Sequence, residues 1–590
     1  MEMNWNLDAL YTGFQSEAFL QDTKRFEESP GLLTAIATDQ MDDIQRLEKW
    51  IVSSRDANAL AAKLMAFARL TVSTDASNKE ALMAMDRLNQ IYTGYTAPEV
   101  QFQEWLKTLE NLDQLIDQSD ILKEHRFHLQ ELKSEAEHKM SQPEEVLAAQ
   151  MSTTGATAWT LLQNTVSSSL MVNVVKDGKE VEIPLMAARN MAFDKDPQIR
   201  LNGYHAELKT YATMDTVSAS CLNGVKGEVL TLSKKRGFDH PLDQTLFNSR
   251  MDRETLDAML EAMKEAMPKF RQYYRRKGEL LGHKNGIPFY DMFAPMGSVE
   301  TKYSYQEATD FVIKHFNSFS KELADFTQNA VDKAWIDVEP KKGKRGGAFC
   351  ANLMPIGESR ILLNFTGNLK NVITLAHELG HAYHGHILKD QSYLNASYPM
   401  PLAETASIFC ETIVKNAALK EVDDEAAFAI LETSISGSGQ VIVDIYSRFL
   451  FETELFARRA DHALSVDELK EIMINAQKQA YGDGVDHEAL HPYMWMNKPH
   501  YYYAVNNFYN FPYAFGLLFA KGIYALYKEE GESFIPKYDQ LLRATGMMNI
   551  ADAAATLDIN VRDKAFWTAS LKELEGEIDR FLDLSQSKLG

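Results

Sequence analysis

Cysteine is scarce, with three in 590 residues: Cys221, Cys350 and Cys410. Scattered so widely they cannot make a disulfide framework, and a reducing, cytoplasmic setting is the expectation. Basic charge is short as well. Lys and Arg number 61 against 83 Asp and Glu, for a net charge of −22. Such a surface repels phosphate backbones and anionic lipid, which excludes nucleic acid and membrane as expected partners. No apolar run approaches the roughly 20 residues that span a bilayer. The opening MEMNWNLDALYTGFQSEAF carries acids where a secretory signal would carry bases. Internal repeats and low-complexity tracts are missing too, and strand signals are few.

What is there in quantity is amphipathic helix. Glu124 to Met140 and Asp252 to Met267 alternate charged and apolar residues at helical spacing. Two stretches read as β-structure. Leu170 to Leu185 has two β-rich runs around Asp-Gly, the signature of a hairpin. Gly346 to Gly367 has two apolar runs around a Pro/Gly/Ser break, preceded by a basic segment, Lys341 to Gly347, with the look of a mobile loop. With 45% hydrophobic residues the chain can bury more than one lobe. The expected division is an N-terminal helical lobe over residues 1–186, the hairpin near its end, and a larger domain over 187–590.

The chemistry concentrates in Ile373 to His386, ITLAHELGHAYHGH, which holds four histidines and one glutamate in fourteen residues. On a helix His377 and His381 project from one face, and Glu378 lies about 100° round the axis. This is an HExxH arrangement: two neutral imidazoles suit Zn²⁺, and the adjacent carboxylate is placed to take a proton from an attacking water. Val372, Leu375, Ala376, Leu379, Ala382 and Tyr383 make the helix apolar nearly all round, hence buried. Burying imidazoles and a carboxylate without partners costs several kcal/mol, and a bound metal removes that cost.

Zinc needs a third protein ligand, with an open position if the site is catalytic. Position 387 is Ile, so the HExxHxxGxxH spacing is absent. The next candidate is Glu404 in PMPLAETASIFCETIVKNAAL, where Pro401 suits the first turn of a helix. Glu411, seven residues on, shares its face and can orient a ligand imidazole from behind. His384 lies on the ligand side and is a candidate supporter of the site. His386 falls on the other side and reads as a packed histidine. Cys350 and Cys410 read as small core residues.

A second cluster runs from Pro499 to Gly516, PHYYYAVNNFYNFPYAFG. Read as a helix up to Pro512, it sets His500 and Tyr503 at i,i+3, and Tyr502, Asn506 and Tyr509 in a stripe. Pro512 is expected to kink or end that helix. Imidazole and phenol donors of this kind can stabilise an oxyanion, although aromatics at such spacing also serve as core.

HELGHAYH, Glu404 and these late residues resemble the thimet oligopeptidase and oligoendopeptidase F family of zinc metallopeptidases, with oligoendopeptidase F the nearer pattern. WNLDALY, GKRGGAFC, ILLNFTGNLKNVITLAHELGHA and PLAETASIFCE extend the likeness along nearly the whole chain. The resemblance implies a mainly α fold: a two-lobed helical clamp with a deep substrate channel and a small β-sheet beside the zinc site. It implies one Zn²⁺ per chain held by His377, His381 and Glu404, with Glu378 as catalytic base and Glu411 matching the family's second helix glutamate. It implies that Gly346, Gly347, Ala348 and Phe349 form an edge strand pairing with extended substrate. His500 matches the family's transition-state histidine. Tyr503 and Tyr509 are the favoured phenols, with Tyr502 and Tyr513 in reserve, and Phe511 stands where many relatives have Tyr. The implied activity is endopeptidase cleavage of short unfolded oligopeptides. A peptidyl-dipeptidase or aminopeptidase of similar chemistry is the nearer rival, though no GxMEN-like run is present. A non-catalytic zinc peptide-binding protein is the further one.

Overall fold

The computed structural model describes residues 2–176, 178–297 and 302–588. Among the described residues the fold is mainly helical with two small sheets, as the sequence periodicity predicts. It folds as two compact units, each assembled from three stretches. One comprises Met1–Lys139, Glu300–Lys420 and Leu526–Asp558; the other comprises Met140–Val299, Glu421–Ala525 and Ile559–Gly590. The single boundary expected at residue 186 is therefore not where the compact units part. Tertiary packing returns late segments to early ones, and composition along the chain carries no trace of that return.

In the second unit the expected hairpin forms. Strands β1 (Met171–Lys176) and β2 (Lys179–Pro184) pair antiparallel, with Val174 opposite Val181. Asp177 of the Asp-Gly turn lies outside the described residues. The unit's core is built on the long helix Arg253–Leu280 against Lys564–Ser585. A continuous 36-residue helical run, Asp424–Arg459, meets the length and composition of a membrane span, against the sequence expectation. Sixty-one per cent of its apolar window is nevertheless buried within the protein, so it serves as a core helix here.

Buried ion pairs in this unit include Lys277–Glu432 and Lys226–Glu452, at 2.5 and 3.0 Å. Lys226 Nζ also donates to Asn507 Oδ1 (2.8 Å), and Asn510 Nδ2 donates to Glu452 Oε2 (3.2 Å). Burial lowers the Lys226 pKa and Glu452 opposes that shift. Glu452→Ala would strand the ammonium, so we expect a loss of roughly 3–5 kcal/mol, read as a lower Tm. An unchanged Tm would show that the pair contributes nothing.

The first unit holds the other sheet, ordered β3–β5–β4. Strand β3 (Ile336–Asp337) runs parallel to β5 (Glu358–Leu362), and β4 (Phe349–Leu353) pairs antiparallel on its other side. Ile361 and Leu362 are buried, and Leu353 and Leu362 join the core of the N-terminal helices. The basic segment before β4 is tethered rather than loose. Lys344 Nζ pairs with the buried Asp337 at 2.6 Å, Arg345 N donates to the Ser73 carbonyl, and Gly343 accepts from Ala76 N. Glycine suits position 343, where φ is +86°.

Candidate active site

Helix Leu369–Leu388 packs against β4 and β5, and Asn368 caps its start by accepting from Asn371 N. His377 and His381 are one turn apart, with ring centroids 5.0 Å apart and planes 82° apart. Two features besides the histidines and Glu378 fix this helix. Asn352 of β4 donates to the His381 carbonyl (3.1 Å) and accepts from the Ser359 hydroxyl (2.8 Å). Gly380 meets the neighbouring chain so closely that a Cβ would stand 2.6 Å from the Ala406 carbonyl oxygen and 2.7 Å from Ser407 Cα.

That close approach delivers Glu404. It follows the short helix Met400–Ala403 and precedes Thr405–Glu421, so it sits at a helix junction rather than within one continuous helix. Its Oε2 lies 3.2 Å from His377 Nε2 and 3.4 Å from His381 Nε2, and it accepts from the Ser407 hydroxyl at 2.8 Å. Glu411 takes the opposite nitrogen: His377 Nδ1 donates to its Oε2 at 3.1 Å. The ring is thus held from behind with Nε2 facing the carboxylate of Glu404.

The donor set fits a metal. One ligand atom each from His377, His381 and Glu404 lies within 4.8 Å of the others. Tetrahedral zinc with bonds near 2.0–2.1 Å would set its ligands about 3.4 Å apart, close to the separations seen. Burial opposes charge on His377, yet the carboxylates of Glu404 and Glu411 push its pKa up to about 10. Glu404 is held far below the usual carboxylate range: burial raises its pKa, but the two imidazoles more than reverse that. A cation is what such a pair of imidazoles and carboxylates is built to receive.

Glu378 is 6% exposed. Burial lifts its carboxyl above the ordinary range, and the charges of His377 and His381 work the other way. Cys350 is close enough that burial and the Glu378 charge both raise its thiol, and burial alone raises that of Cys410. Neither is a nucleophile.

His384 does not support the ligands. It is fully buried, stacks on Tyr398 (centroids 4.2 Å, 10°), donates from Nε2 to the Leu542 carbonyl, and lies 2.9 Å from Thr545 Oγ1. Burial drives its pKa down to about 3, so it is a neutral core imidazole. His386 packs on Phe326 at 4.8 Å, the bystander expected. Of the four residues expected as a substrate strand, Phe349 opens β4 at the sheet edge, while Gly346, Gly347 and Ala348 precede it. The Gly347 carbonyl already accepts from Asn364 Nδ2 (2.8 Å).

The late aromatic segment departs most from expectation. It is a 3₁₀ turn, Pro499–Tyr502, then irregular chain, then a helix beginning at Phe511 with Pro512 in its first turn. Proline lacks an N–H and fits a helix start as readily as an end, so Pro512 opens a helix rather than closing one. The helical stripe of Tyr502, Asn506 and Tyr509 therefore does not exist. Tyr502 is buried and its carbonyl accepts from Thr160 Oγ1 (2.7 Å); Phe511 is buried too. Around His500 gather Tyr509, Tyr503 and Tyr513, at centroid distances of 5.1, 5.6 and 6.4 Å. Burial and the nearby Arg448 and Lys498 lower the His500 pKa, which keeps its ring neutral.

Two imidazoles a turn apart, a converging carboxylate and a buried glutamate beside them define a metallopeptidase type of centre. Comparison with known proteins gives the lineage. Residues 190–573 match Peptidase family M3 and residues 98–171 match Oligopeptidase F, so this chain belongs to peptidase family M3, a family of metal-dependent oligopeptidases. It is 23% identical to Oligopeptidase PepF of Bacillus subtilis over 598 residues, covering 99% of this chain and 87% of that protein. An Oligoendopeptidase F homolog of Borreliella burgdorferi is 24% identical over 531 residues, 85% of each chain. The fold recurs in solved structures. A chain from Chlamydophila abortus aligns with a TM-score of 0.83 at 23% identity, over 97% of this chain and 98% of that one. Oligoendopeptidase-F of Enterococcus faecium aligns at 0.71 and 16%, over the same shares. The gap between the two family matches brackets residue 186, whereas the compact units divide elsewhere.

Proposed function

We propose that this chain is a zinc-dependent endopeptidase that hydrolyses internal bonds of short, unfolded oligopeptides. The observation behind this reading is the convergence of Glu404 Oε2 on both Nε2 atoms, at 3.2 and 3.4 Å. One Zn²⁺ per chain would be held by His377, His381 and Glu404; when bound it acts as a Lewis acid that acidifies water and polarises a carbonyl. Glu411 fixes the His377 ring and its tautomer through Nδ1. Glu378 takes the proton of the attacking water and passes it to the leaving amine. For the carbonyl oxygen we assign His500, with Tyr503 or Tyr509 as a second donor. The edge strand opened by Phe349 offers main-chain groups to an extended peptide. A cytoplasmic setting goes with this reading, since Cys221, Cys350 and Cys410 are all free.

The test is a quenched fluorescent peptide blocked at both ends. Cleavage at an internal bond, abolished by chelator and restored by one equivalent of zinc, is the expected result. Cleavage that needs a free amino terminus would make the protein an aminopeptidase, and dipeptide release only from a free carboxyl end a peptidyl-dipeptidase. Binding without turnover under any metal would overturn the enzymatic reading.

A further inference from the structure

Residues 341–345, KKGKR, place four cations in five positions of a chain whose net charge is −22. The segment is mounted firmly for a surface loop. Lys344 is spent inward: its side chain is fully buried 2.6 Å from Asp337, and its Nζ donates to the Glu339 carbonyl at 2.7 Å. Lys341 lies 3.6 Å from the same Asp337 carboxylate. Arg345 is held on both sides of its own main chain. Its N–H donates to the Ser73 carbonyl, and Asn364 Nδ2 donates to the carbonyls of Arg345 (3.0 Å) and Gly347 (2.8 Å). The Arg345 side chain is exposed and meets no carboxylate at ion-pairing distance among the described residues. It lies over the Phe349 ring, with the guanidinium carbon 5.4 Å from the centroid. A cation kept only for solubility needs no such mounting.

Phe349 opens β4, and β4 has two distinct faces. Phe349, Ala351 and Leu353 pack on the core of the N-terminal helices. Cys350 and Asn352 face the other way: their side chains meet at 3.6 Å, and Asn352 reaches the His381 carbonyl. The outer edge of the strand is open. Beyond the pairing with β5, no main-chain group of residues 349–352 has a hydrogen-bond partner among the described residues, and all four residues are partly exposed. An open edge of this kind is a template for an extended chain. The side chains of a chain paired there alternate between two faces. One set shares the face of Asn352 with the histidine helix. The other shares the face of Phe349, where Arg345 stands.

We propose that Arg345 is a specificity-determining residue, which pairs with a carboxylate of the peptide on the Phe349 face of the strand-paired substrate. The proposal rests on the peptidase reading above and deepens it by naming a substrate class. That class is peptides with an acidic side chain, or a free C-terminal carboxylate, at the position Arg345 serves. A planar guanidinium matches a carboxylate with two parallel N–H donors, and stacking on an aromatic ring holds it ready for that geometry. The overall charge of −22 repels an acidic peptide. A fixed local cation without a carboxylate of its own is what such a substrate requires.

The test compares Arg345→Gln and Arg345→Glu with Lys342→Gln, which removes the same charge from an exposed neighbour in the same segment. Fluorescent peptides carry Glu, Gln or Lys at one position, stepped along the sequence, each with a free or an amidated C-terminus. Affinity is read by anisotropy in a Glu378→Gln background, which keeps peptide intact, and cleavage in the parent background. At one position the parent should favour Glu over Gln about tenfold. Arg345→Gln should remove that preference, Arg345→Glu should turn it towards Lys, and Lys342→Gln should keep it. A preference that follows the free C-terminus instead of Glu identifies the terminal carboxylate as the partner. No carboxylate preference in the parent, or one that survives Arg345→Gln, would overturn the assignment. So would an equal loss in Lys342→Gln, which would show diffuse charge rather than a pair. If the parent binds peptide but cuts none, the peptidase reading fails by itself, and an Arg345-dependent carboxylate preference still supports the site.

Discussion

Replacing Glu378 by Gln is expected to cut kcat/KM by about 10²–10⁴-fold, the range a positioned general base supplies, while leaving one metal per chain. The two halves of this result separate the roles of adjacent residues. Glutamine keeps the shape and hydrogen-bonding reach of Glu378 but cannot accept a proton. The ligand set of His377, His381 and Glu404 is untouched by the change. Stability should hold or rise slightly, because the carboxylate is buried and burial disfavours its charge. Metal content by mass spectrometry and initial rates on a quenched peptide are the two measurements. Turnover within tenfold of the parent would remove Glu378 as the base. Loss of the metal would show instead that its charge is needed to hold the ion.

The same helix shows what a sequence can and cannot display. His377, Glu378 and His381 were legible because helical geometry converts a spacing of four residues directly into a shared face. Glu404 was legible because a carboxylate among apolar residues needs a partner, and two unpaired imidazoles needed a third ligand. The same reasoning gave His384 a place at the site, and there it failed. Periodicity assigns a residue to a side of its own helix but not to the neighbour it meets. Here the neighbours are Tyr398 and, from the first unit's last segment, the Leu542 carbonyl.

The His500 segment failed for a related reason. Proline marks a helix boundary without saying which side is helical. Reading Pro512 as an end put Tyr502 in a helical stripe with Asn506 and Tyr509, and left Tyr502 and Tyr513 equally in reserve. With Pro512 at the start of the following helix the two part: Tyr502 enters the core and Tyr513 joins the cluster. The anchors of that irregular segment, Lys226 on Asn507 and Glu452 on Asn510, are polar groups in separate helices, and no local pattern links them.

Gly380 is the residue whose role no spacing rule revealed, and substituting it is expected to have the second large effect. It reads in sequence as the unremarked x of HExxH, at a cost of about 1 kcal/mol relative to alanine in a helix. On propensity alone, Gly380→Ala should stabilise the protein. The structure reverses the sign. The added methyl would meet the Ala406 carbonyl oxygen at 2.6 Å and Ser407 Cα at 2.7 Å, and both are backbone atoms that cannot swing aside. Relief requires the histidine helix and the helix after Glu404 to separate, and overpacking of this kind costs about 1–3 kcal/mol. Separation also pulls Glu404 from the two imidazoles, and metal bonds tolerate only about 0.2 Å. We therefore expect metal affinity to fall by about ten- to a hundredfold, as when a supporting group is lost, with activity falling in parallel at limiting metal and partly recovering in excess. Gly576→Ala is the matched control, a helical glycine with nothing within 4 Å of the new methyl; it should raise Tm slightly and leave metal binding alone. If Gly380→Ala binds metal as tightly as the parent, the close approach is incidental and Glu404 is positioned by Ser407 and its own helix instead.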